Sequence, residues 1–481
     1  MTFRSRAVGD FCLHSLPGIA TQALRACTVG FVVTLALSAR SSESAGRPDI
    51  VLILADDLGY ADLGCFGGKA IRTPHLDRIA AEGVRLTNFS VAWPACTPSR
   101  AALLTGRYPQ RNGLYDMIRN DRVNDGHRYT EEEYAVSPEM TLGLDEREIT
   151  ITEVLHDAGY ATGMVGKWDS GRAKRFLPPR RGFDVFYGFA NTGIDYYTHE
   201  RYGVPSMFRG LDRTEEDKGT YATDLFRREA VNFVRKNADR PFFLYLAFNA
   251  PHSASNLEKD SQQVPQEYLD RYYSDADPKN RRTKYMGMVS AMDEAIGELL
   301  DVLDEKGLTE NTLFVFHSDN GGSGPGDNGP LHGGKATMWE GGLRVPAIVR
   351  WPKQLPAGTT SDEFLTSLEV FPTLLAAANV AKPDGVKLDG FDMRPVLKGE
   401  ASSKRETMFW KRRSDKAARI GRYKWIESTK GGGLFDLETD LGEQRDLSAE
   451  KPDVLADLKN RFATWQAEMD ASEPRGPFRD Y

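Results

Sequence analysis

Asp49-Ile-Val-Leu-Ile-Leu-Ala55 runs without a break into Asp56-Asp57. Apolar residues in succession cannot alternate between a core and water. The run therefore reads as a strand covered on both faces, as in a parallel sheet flanked by helices. Three further runs repeat the design. Ala161-Thr-Gly-Met-Val-Gly166 leads into Lys167-Trp-Asp169, Phe242-Phe-Leu-Tyr-Leu-Ala-Phe248 into Asn249-Ala-Pro-His252, and Thr312-Leu-Phe-Val-Phe316 into His317-Ser-Asp319-Asn320-Gly321. Open α/β sheets bind ligands beyond the carboxyl ends of their strands. One charged strand end is ordinary; four predict one shared site. Helical patterns fill the intervals, most clearly Ile151–Asp157 and 284–305. The second puts Met288, Met292, Ile296, Leu299 and Leu303 on one face, a core stripe rather than a cofactor box.

The composition is that of a soluble globular protein: 481 residues, 40% hydrophobic and 27% charged. It excludes a disordered tail, a collagen-like repeat and a multi-span membrane protein. With 62 Lys+Arg against 69 Asp+Glu the net charge is −7. No nucleic-acid partner is expected, although a local basic pocket is compatible with this balance. Arg4, Arg6 and Arg25 precede an apolar stretch over 27–39, and Ala36-Leu-Ser38 offers small residues for cleavage. This reads as a signal peptide over 1–38, whose apolar stretch of 13 residues is too short for a stable membrane span. The mature chain is expected to be exported: periplasmic, secreted or lumenal. Leu24-Arg-Ala-Cys27 lies before the apolar stretch, so lipidation is not expected. Only Cys65 and Cys96 remain after cleavage. Each needs its own explanation, as a disulfide, a buried thiol or a reactive group.

Residues 47–398 read as one large α/β domain. Residues 399–481 read as a smaller α+β domain. Thr407-Met-Phe-Trp410, Ala418-Arg-Ile420, Tyr423-Lys-Trp-Ile426 and Gly433-Leu-Phe-Asp436 suggest a short antiparallel sheet. An amphipathic helix over 453–469 follows, with Leu455, Leu458, Phe462 and Trp465 at helical spacing. Gly321-Gly-Ser-Gly-Pro-Gly326 lacks phosphate-loop spacing and reads as a flexible loop.

The densest segment is Cys96-Thr-Pro-Ser-Arg100-Ala-Ala-Leu-Leu-Thr-Gly-Arg107. Pro98 suits the first turn of a helix, placing Cys96 just before a helix N-terminus, where an anionic nucleophile is favoured. On these residues alone a reactive thiol and an inert buried one are equally open. The segment resembles the sulfatase family, whose C-x-P-x-R core is matched by Cys96-Thr-Pro-Ser-Arg100 and continued by Thr105-Gly-Arg-Tyr108. Further blocks resemble the same family in order over 48–350: Asp56-Asp57-Leu-Gly59, Thr73-Pro-His-Leu-Asp-Arg-Ile-Ala80, Gly166-Lys-Trp168, Ala250-Pro-His252, Ser318-Asp-Asn-Gly321, Gly333-Gly-Lys335 and Glu340-Gly-Gly-Leu-Arg-Val-Pro346.

The resemblance implies an alkaline-phosphatase-like fold, with a mostly parallel sheet flanked by helices. It also implies a sulfuric ester hydrolase acting on an aryl sulfate or a sulfated carbohydrate. Cys96 would be converted to formylglycine (3-oxoalanine) by a formylglycine-generating enzyme. Asp56, Asp57, Asp319 and Asn320, with the modified Cys96, would hold one Ca²⁺. These are hard oxygen donors, which suit Ca²⁺ or Mg²⁺ and argue against zinc. In this chemistry one hydroxyl of the aldehyde hydrate attacks sulfur, aided by the ion and Arg100, and the second expels sulfate. Lys167 and Lys335 would neutralise the sulfate oxygens, and His252 with Lys335 would serve the leaving oxygen. A phosphodiesterase or phosphonate hydrolase on the same fold is an alternative, disfavoured because no His lies beside Asp56-Asp57 or Asp319-Asn320. A degenerate member that only binds sulfated glycan is another.

One position departs from the family. Gly-Lys-Trp is usually followed by His, and here by Asp169. That His contacts a hydroxyl of the hydrate, so an aspartate would serve as the base there or would repel the substrate. His199 is a candidate replacement. Cys65 reads as a small buried residue, and Lys69, Arg72 and Arg107 as solvated or paired with surface acids. The aromatic residues over 183–197 read as core packing rather than cleft lining. Specificity is expected on the loops 115–148, 170–220 and 253–283.

Overall fold

The Asp49–Ala55 strand lies at the centre of the molecule, with residues 50–55 excluded from solvent. In the structure, a computed structural model, residues 46–120 and 127–472 are described; the expected signal segment lies outside them. Asp49–Ala55 pairs in parallel with Thr312–Ser318 on one side and Phe242–Ala247 on the other. Ala161–Lys167 and Val185–Phe189 extend the parallel set. Antiparallel pairings follow on both sides, and Thr359–Ser361 adds to one edge in parallel with Val84–Leu86, giving ten strands in the order Thr359–Ser361, Val84–Leu86, Ala347–Arg350, Thr312–Ser318, Asp49–Ala55, Phe242–Ala247, Ala161–Lys167, Val185–Phe189, Met207–Arg209, Asp212–Arg213. The expected mostly parallel, helix-flanked sheet is present. Val185–Phe189 is an additional parallel strand; its aromatic residues pack in the core, as expected.

The two faces of the central strand feed two separate cores. Val51, Ile53 and Ala55 pack with Met288, Met292, Ile296 and Leu299 of the long helix Arg281–Glu305. Ile50, Leu52 and Leu54 pack on the other side with Phe371 and Leu374 of Val370–Ala378. This is why the run had to be apolar at every position. Truncating Leu52 to Ala would cost about 2–5 kcal/mol.

The C-terminal sheet is a four-stranded antiparallel meander of Thr407–Arg412, Asp415–Ile420, Tyr423–Ser428 and Gly431–Asp436. Helix Pro452–Asp470 covers it with Leu458, Phe462, Trp465 and Met469. Trp410 Nε1 donates to the Val91 carbonyl at 2.8 Å, and Trp93 Nε1 to the Lys411 carbonyl at 3.0 Å. These bonds tie the first strand of the meander to the segment that leads into Cys96. Among the described residues no helix is long and apolar enough to cross a membrane.

Candidate active site

The strand register converts sequence distance into contact. Ala55 and Ser318 are partners, as are Leu54 and Ala247, and Ala247 and Gly166. The residues following each strand therefore emerge side by side. Gly166 adopts φ 102, and a Cβ there would lie 1.9 Å from the Ala247 carbonyl oxygen; only glycine delivers Lys167 into the site along this path. Cys96 opens the wholly buried helix Cys96–Thr105, so it is the first residue of that helix rather than the one before it.

Three buried carboxylates interleave with two buried cations, Arg100 and Lys167, and with the partly exposed Lys335. Lys167 Nζ lies 2.8 Å from Asp56 Oδ2, and Lys335 Nζ lies 2.7 and 2.8 Å from the two oxygens of Asp57. Arg100 places Nε at 2.8 Å and an outer nitrogen at 2.7 Å from Asp319 Oδ2, and donates to the Lys167 carbonyl at 3.0 Å. Cys96 Sγ stands between the groups, 3.4 Å from Asp56 Oδ1 and 3.2 Å from Lys335 Nζ. Asn320 donates to Asp57 Oδ1 at 2.7 Å. Ser323, on the loop expected to be flexible, donates to Asp57 Oδ2 at 2.7 Å. That loop is tied to the site, and nothing local in its sequence signals this.

Burial by itself would raise Asp57, but Lys335, His252 and Lys167 outweigh it and hold the carboxyl well below the usual range. Burial lifts the Cys96 thiol far above its ordinary value despite Lys167 and Lys335, so the unmodified thiol is no thiolate at neutral pH. His252 is driven down to about 3 by burial and then by Lys335. Its Nδ1–H donates to the Ser253 carbonyl at 2.7 Å. Nε2, 3.8 Å from Asp57 Oδ2, therefore faces the site as a lone pair. The Tyr196 hydroxyl, within 2.8 Å of the Asn249 and 2.9 Å of the His252 carbonyl, holds this turn in place.

Donor atoms of Asp56, Asp57, Cys96 and Asp319 all lie within 4.8 Å of one another. Asn320 Oδ1 is buried with no hydrogen-bond partner. Converging carboxylates and an orphaned amide oxygen fit a hard divalent cation. His252 also comes within reach of Asp56 and Cys96, a neighbourhood the sequence does not reveal.

Asp169 reaches the site, with Oδ1 accepting from the Thr97 hydroxyl at 2.8 Å. His199 does not. Its Nε2 donates to the Thr220 carbonyl at 2.8 Å, and it does not line the cleft over Cys96. Cys65 and Cys96 are both free thiols, and Cys65 is half-buried. Arg107 pairs at 3.1 Å with Glu148, a buried acid rather than a surface one. Sequence reasoning missed Asp116, Arg412 and Arg413, which line the cleft. The last two come from the C-terminal meander.

Fold and site together define an α/β protein whose parallel strand ends gather carboxylates and cations around the buried Cys96. The chain belongs to the sulfatase family: the family model described as Sulfatase matches residues 48–380. A second model, N-sulphoglucosamine sulphohydrolase, C-terminal, matches 332–468. The chain is 35% identical to N-acetylgalactosamine-6-sulfatase of Canis lupus familiaris, over 83% of this chain and 76% of that one. It is 33% identical to arylsulfatase A of Homo sapiens, over 90% of each. A solved structure, Ps i-CgsB in complex with k-i-k-neocarrahexaose, superposes with TM-score 0.77 at 32% identity, covering 87% of this chain and 92% of that one. The alkaline-phosphatase-like fold is thus shared with sulfatases, and these relationships support a sulfuric ester hydrolase.

Proposed function

We propose that this chain is exported, carries Cys96 as formylglycine, and releases sulfate from a sulfated carbohydrate or aryl sulfate with one bound Ca²⁺. The observation that carries the reading is the position of Cys96 Sγ between Asp56 and Lys335, at the start of a helix and within the four-residue donor cluster. Asp56, Asp57, Asp319, Asn320 and residue 96 would hold the ion; with the hydrated aldehyde it supplies Lewis acidity and an oxygen nucleophile.

The chain's own residues do the rest. Lys167 and Lys335 meet the non-bridging sulfate oxygens, where charge grows in the transition state. Arg100, locked on Asp319 and the Lys167 carbonyl, keeps a fixed positive charge beside residue 96. Because His252 presents a lone pair, the ammonium of Lys335 holds the proton destined for the leaving oxygen. Asp169 stands as the base toward residue 96. Residues 399–481 act as a subdomain that completes the cleft. The test is mass spectrometry of the Cys96 peptide combined with sulfate release from aryl sulfates and sulfated sugars. An unmodified cysteine in fully active protein would end this reading.

A further inference from the structure

Two cavities open side by side near Cys96. The cleft over it measures about 200 Å³, with Thr192, Arg201, Tyr202 and Ser255 in its wall. A second measures about 500 Å³, with Tyr129, Tyr134, Arg201, Gly203 and Arg213 in its wall. Arg201 belongs to both, so the two lie within the reach of one side chain. Ligand pockets typically hold about 300–1,000 Å³. The cleft over Cys96 falls below that range on its own, and the second cavity lies inside it. The named residues come from the three loops expected to carry specificity.

A hairpin tip divides the cavities. Glu200–Arg201 pairs with Val204–Pro205 across a two-residue turn, Tyr202-Gly203, whose φ values are 47 and 82. Positive φ at both positions is what a tight hairpin turn of this kind requires. It suits Gly203 and strains Tyr202. A tyrosine stands there all the same, lining the cleft over Cys96, while Gly203 lines the other cavity. The Tyr202 amide donates to the Ser255 carbonyl at 2.8 Å, and the Arg201 guanidinium lies 5.4 Å from the centre of its ring. A strained residue held in this way at a cleft points to a use for its side chain.

The second cavity has the chemistry of a sugar site. Buried Glu139 accepts the Tyr134 hydroxyl at 2.9 Å and Arg172 at 3.1 Å on one oxygen, and its other oxygen lies 3.3 Å from Arg201 Nε. Tyr129 stands edge-on to Tyr134 at 6.4 Å. Arg201 is 5% exposed, yet its Nε makes no hydrogen bond. A buried donor without a partner is costly, and a ligand hydroxyl would satisfy it. Cations (Arg201, Arg213) and carboxylates (Glu131, Glu139) share the walls with the tyrosine rings. An aryl group would leave those polar atoms unpaired. A polyhydroxylated ring offers donors, acceptors and an apolar face together.

We infer that the cavity of Tyr129, Tyr134 and Arg201 is a subsite for a saccharide unit linked to the one whose sulfate enters the Cys96 cleft, with Tyr202 as the platform at the junction. The substrate is then an oligosaccharide rather than a sulfated monosaccharide or a simple aryl sulfate. This inference rests on the reading that the Cys96 cleft takes a sulfate ester.

The experiment is calorimetric binding to full-length Cys96→Ala protein, which cannot turn substrate over. The probes are tetrasaccharides from chondroitin 6-sulfate, heparin and ι-carrageenan, each compared with a sulfated monosaccharide of its own repeat. At least one tetrasaccharide is expected to bind at least tenfold more tightly than its monosaccharide. Tyr129→Ala should remove most of that gain and leave the monosaccharide nearly unchanged; Tyr129→Phe should keep it. Tyr202→Gly relieves the backbone, so it should melt no lower than the parent and still lose the gain. No preference for any tetrasaccharide, or a preference that survives both Tyr129→Ala and Tyr202→Gly, overturns the subsite. So do equal losses of both probes in Tyr129→Ala. Hydrolysis of 4-methylumbelliferyl sulfate by the unsubstituted enzyme is measured separately. No hydrolysis with a Tyr129-dependent preference for length sinks the activity and leaves the subsite; hydrolysis with no such preference does the reverse.

Discussion

Asp169 accepts the hydroxyl hydrogen of Thr97 at 2.8 Å, and Thr97 is the residue that follows Cys96. The second Asp169 oxygen is buried without a hydrogen-bond partner and faces Lys167 Nζ at 3.6 Å. Burial lifts the carboxyl to about 6 against the pull of Lys167, Arg100 and Thr97. It is thus ionised at neutral pH yet more basic than an ordinary aspartate, which suits a general base. Asp169→Asn keeps an oxygen for Thr97 and loses the basicity. The expected result is a burst of alcohol near one molecule per enzyme, followed by turnover slowed about 10²–10⁴-fold. In the parent enzyme kcat should fall as pH drops through about 6, because the base must be unprotonated; the Asn variant should lack that limb. No burst and an unchanged limb remove Asp169 from the chemistry. A gain of activity in Asp169→His shows instead that the carboxylate repels substrate.

Cys96→Ser is close in size and leaves the helix Cys96–Thr105 and its buried contacts in place. Produced in a host that oxidises only cysteine at this motif, it should melt near the parent temperature and release sulfate at background rate. Retention of most activity would rule out formylglycine at this position.

Calcium should raise the melting temperature of the parent protein, since a ligand that binds only the folded state stabilises it. Asn320→Ala removes the orphaned oxygen and should weaken that response. Chelation should abolish activity, with Ca²⁺ restoring it. Restoration by Zn²⁺ alone would point to the set that includes His252 and to the phosphodiesterase alternative.

Long apolar strands and their polar ends were legible because both signals are local. Val185–Phe189 was not, because Gly188 interrupts a run that otherwise reads as aromatic packing. The short strands Val84–Leu86 and Ala347–Arg350 find each other across a separation no local pattern reports. The same limit hid half of the cleft. Arg413 meets Asp116 across 297 positions, and the Arg412–Arg413 corner reads in sequence only as a hairpin tip. The strand-end residues Asp56, Asp57, Lys167 and Asp319 do meet around Cys96, as four polar strand ends suggested. The lone pair of His252 and the grip of Ser323 on Asp57 depend on neighbours that only the fold supplies.

Lys424 has no solvent exposure and lies 2.8 Å from Glu340 and 2.9 Å from Glu443. Glu443 also accepts the Glu340 amide at 2.6 Å. Glu340 starts the short helix Glu340–Leu343, five residues after Lys335, so this cluster fixes the chain near the site. Lys424→Met leaves two buried carboxylates facing each other. The expected cost is about 3–5 kcal/mol, read as a lower denaturation midpoint, with KM rising as Lys335 loses its support. A stability change below about 1 kcal/mol would show that the cluster is not structural.

Asp293 gives the molecule a pH dependence far from the catalytic groups. It belongs to the helix Arg281–Glu305, and its two oxygens accept the amides of His75 at 3.0 Å and Leu76 at 2.8 Å, at the start of Pro74–Ala81. Burial dominates those bonds and raises the carboxyl to about 7. In the unfolded chain it titrates near 3.9. A raised folded value means that the folded state holds the proton more tightly, so this group favours folding below about pH 4. That contribution is lost as pH rises through about 7, and amounts to about 4 kcal/mol at most. Asp293→Asn cannot titrate, and its amide accepts from only one of the two donors. It should therefore be less stable than the parent at pH 5, and the gap should narrow or reverse by pH 8. Every other titrating group is common to both proteins, so the difference in melting temperature isolates Asp293. A gap that stays constant from pH 5 to pH 8 would mean that this carboxyl is already ionised throughout the range, with the two backbone amides outweighing its burial.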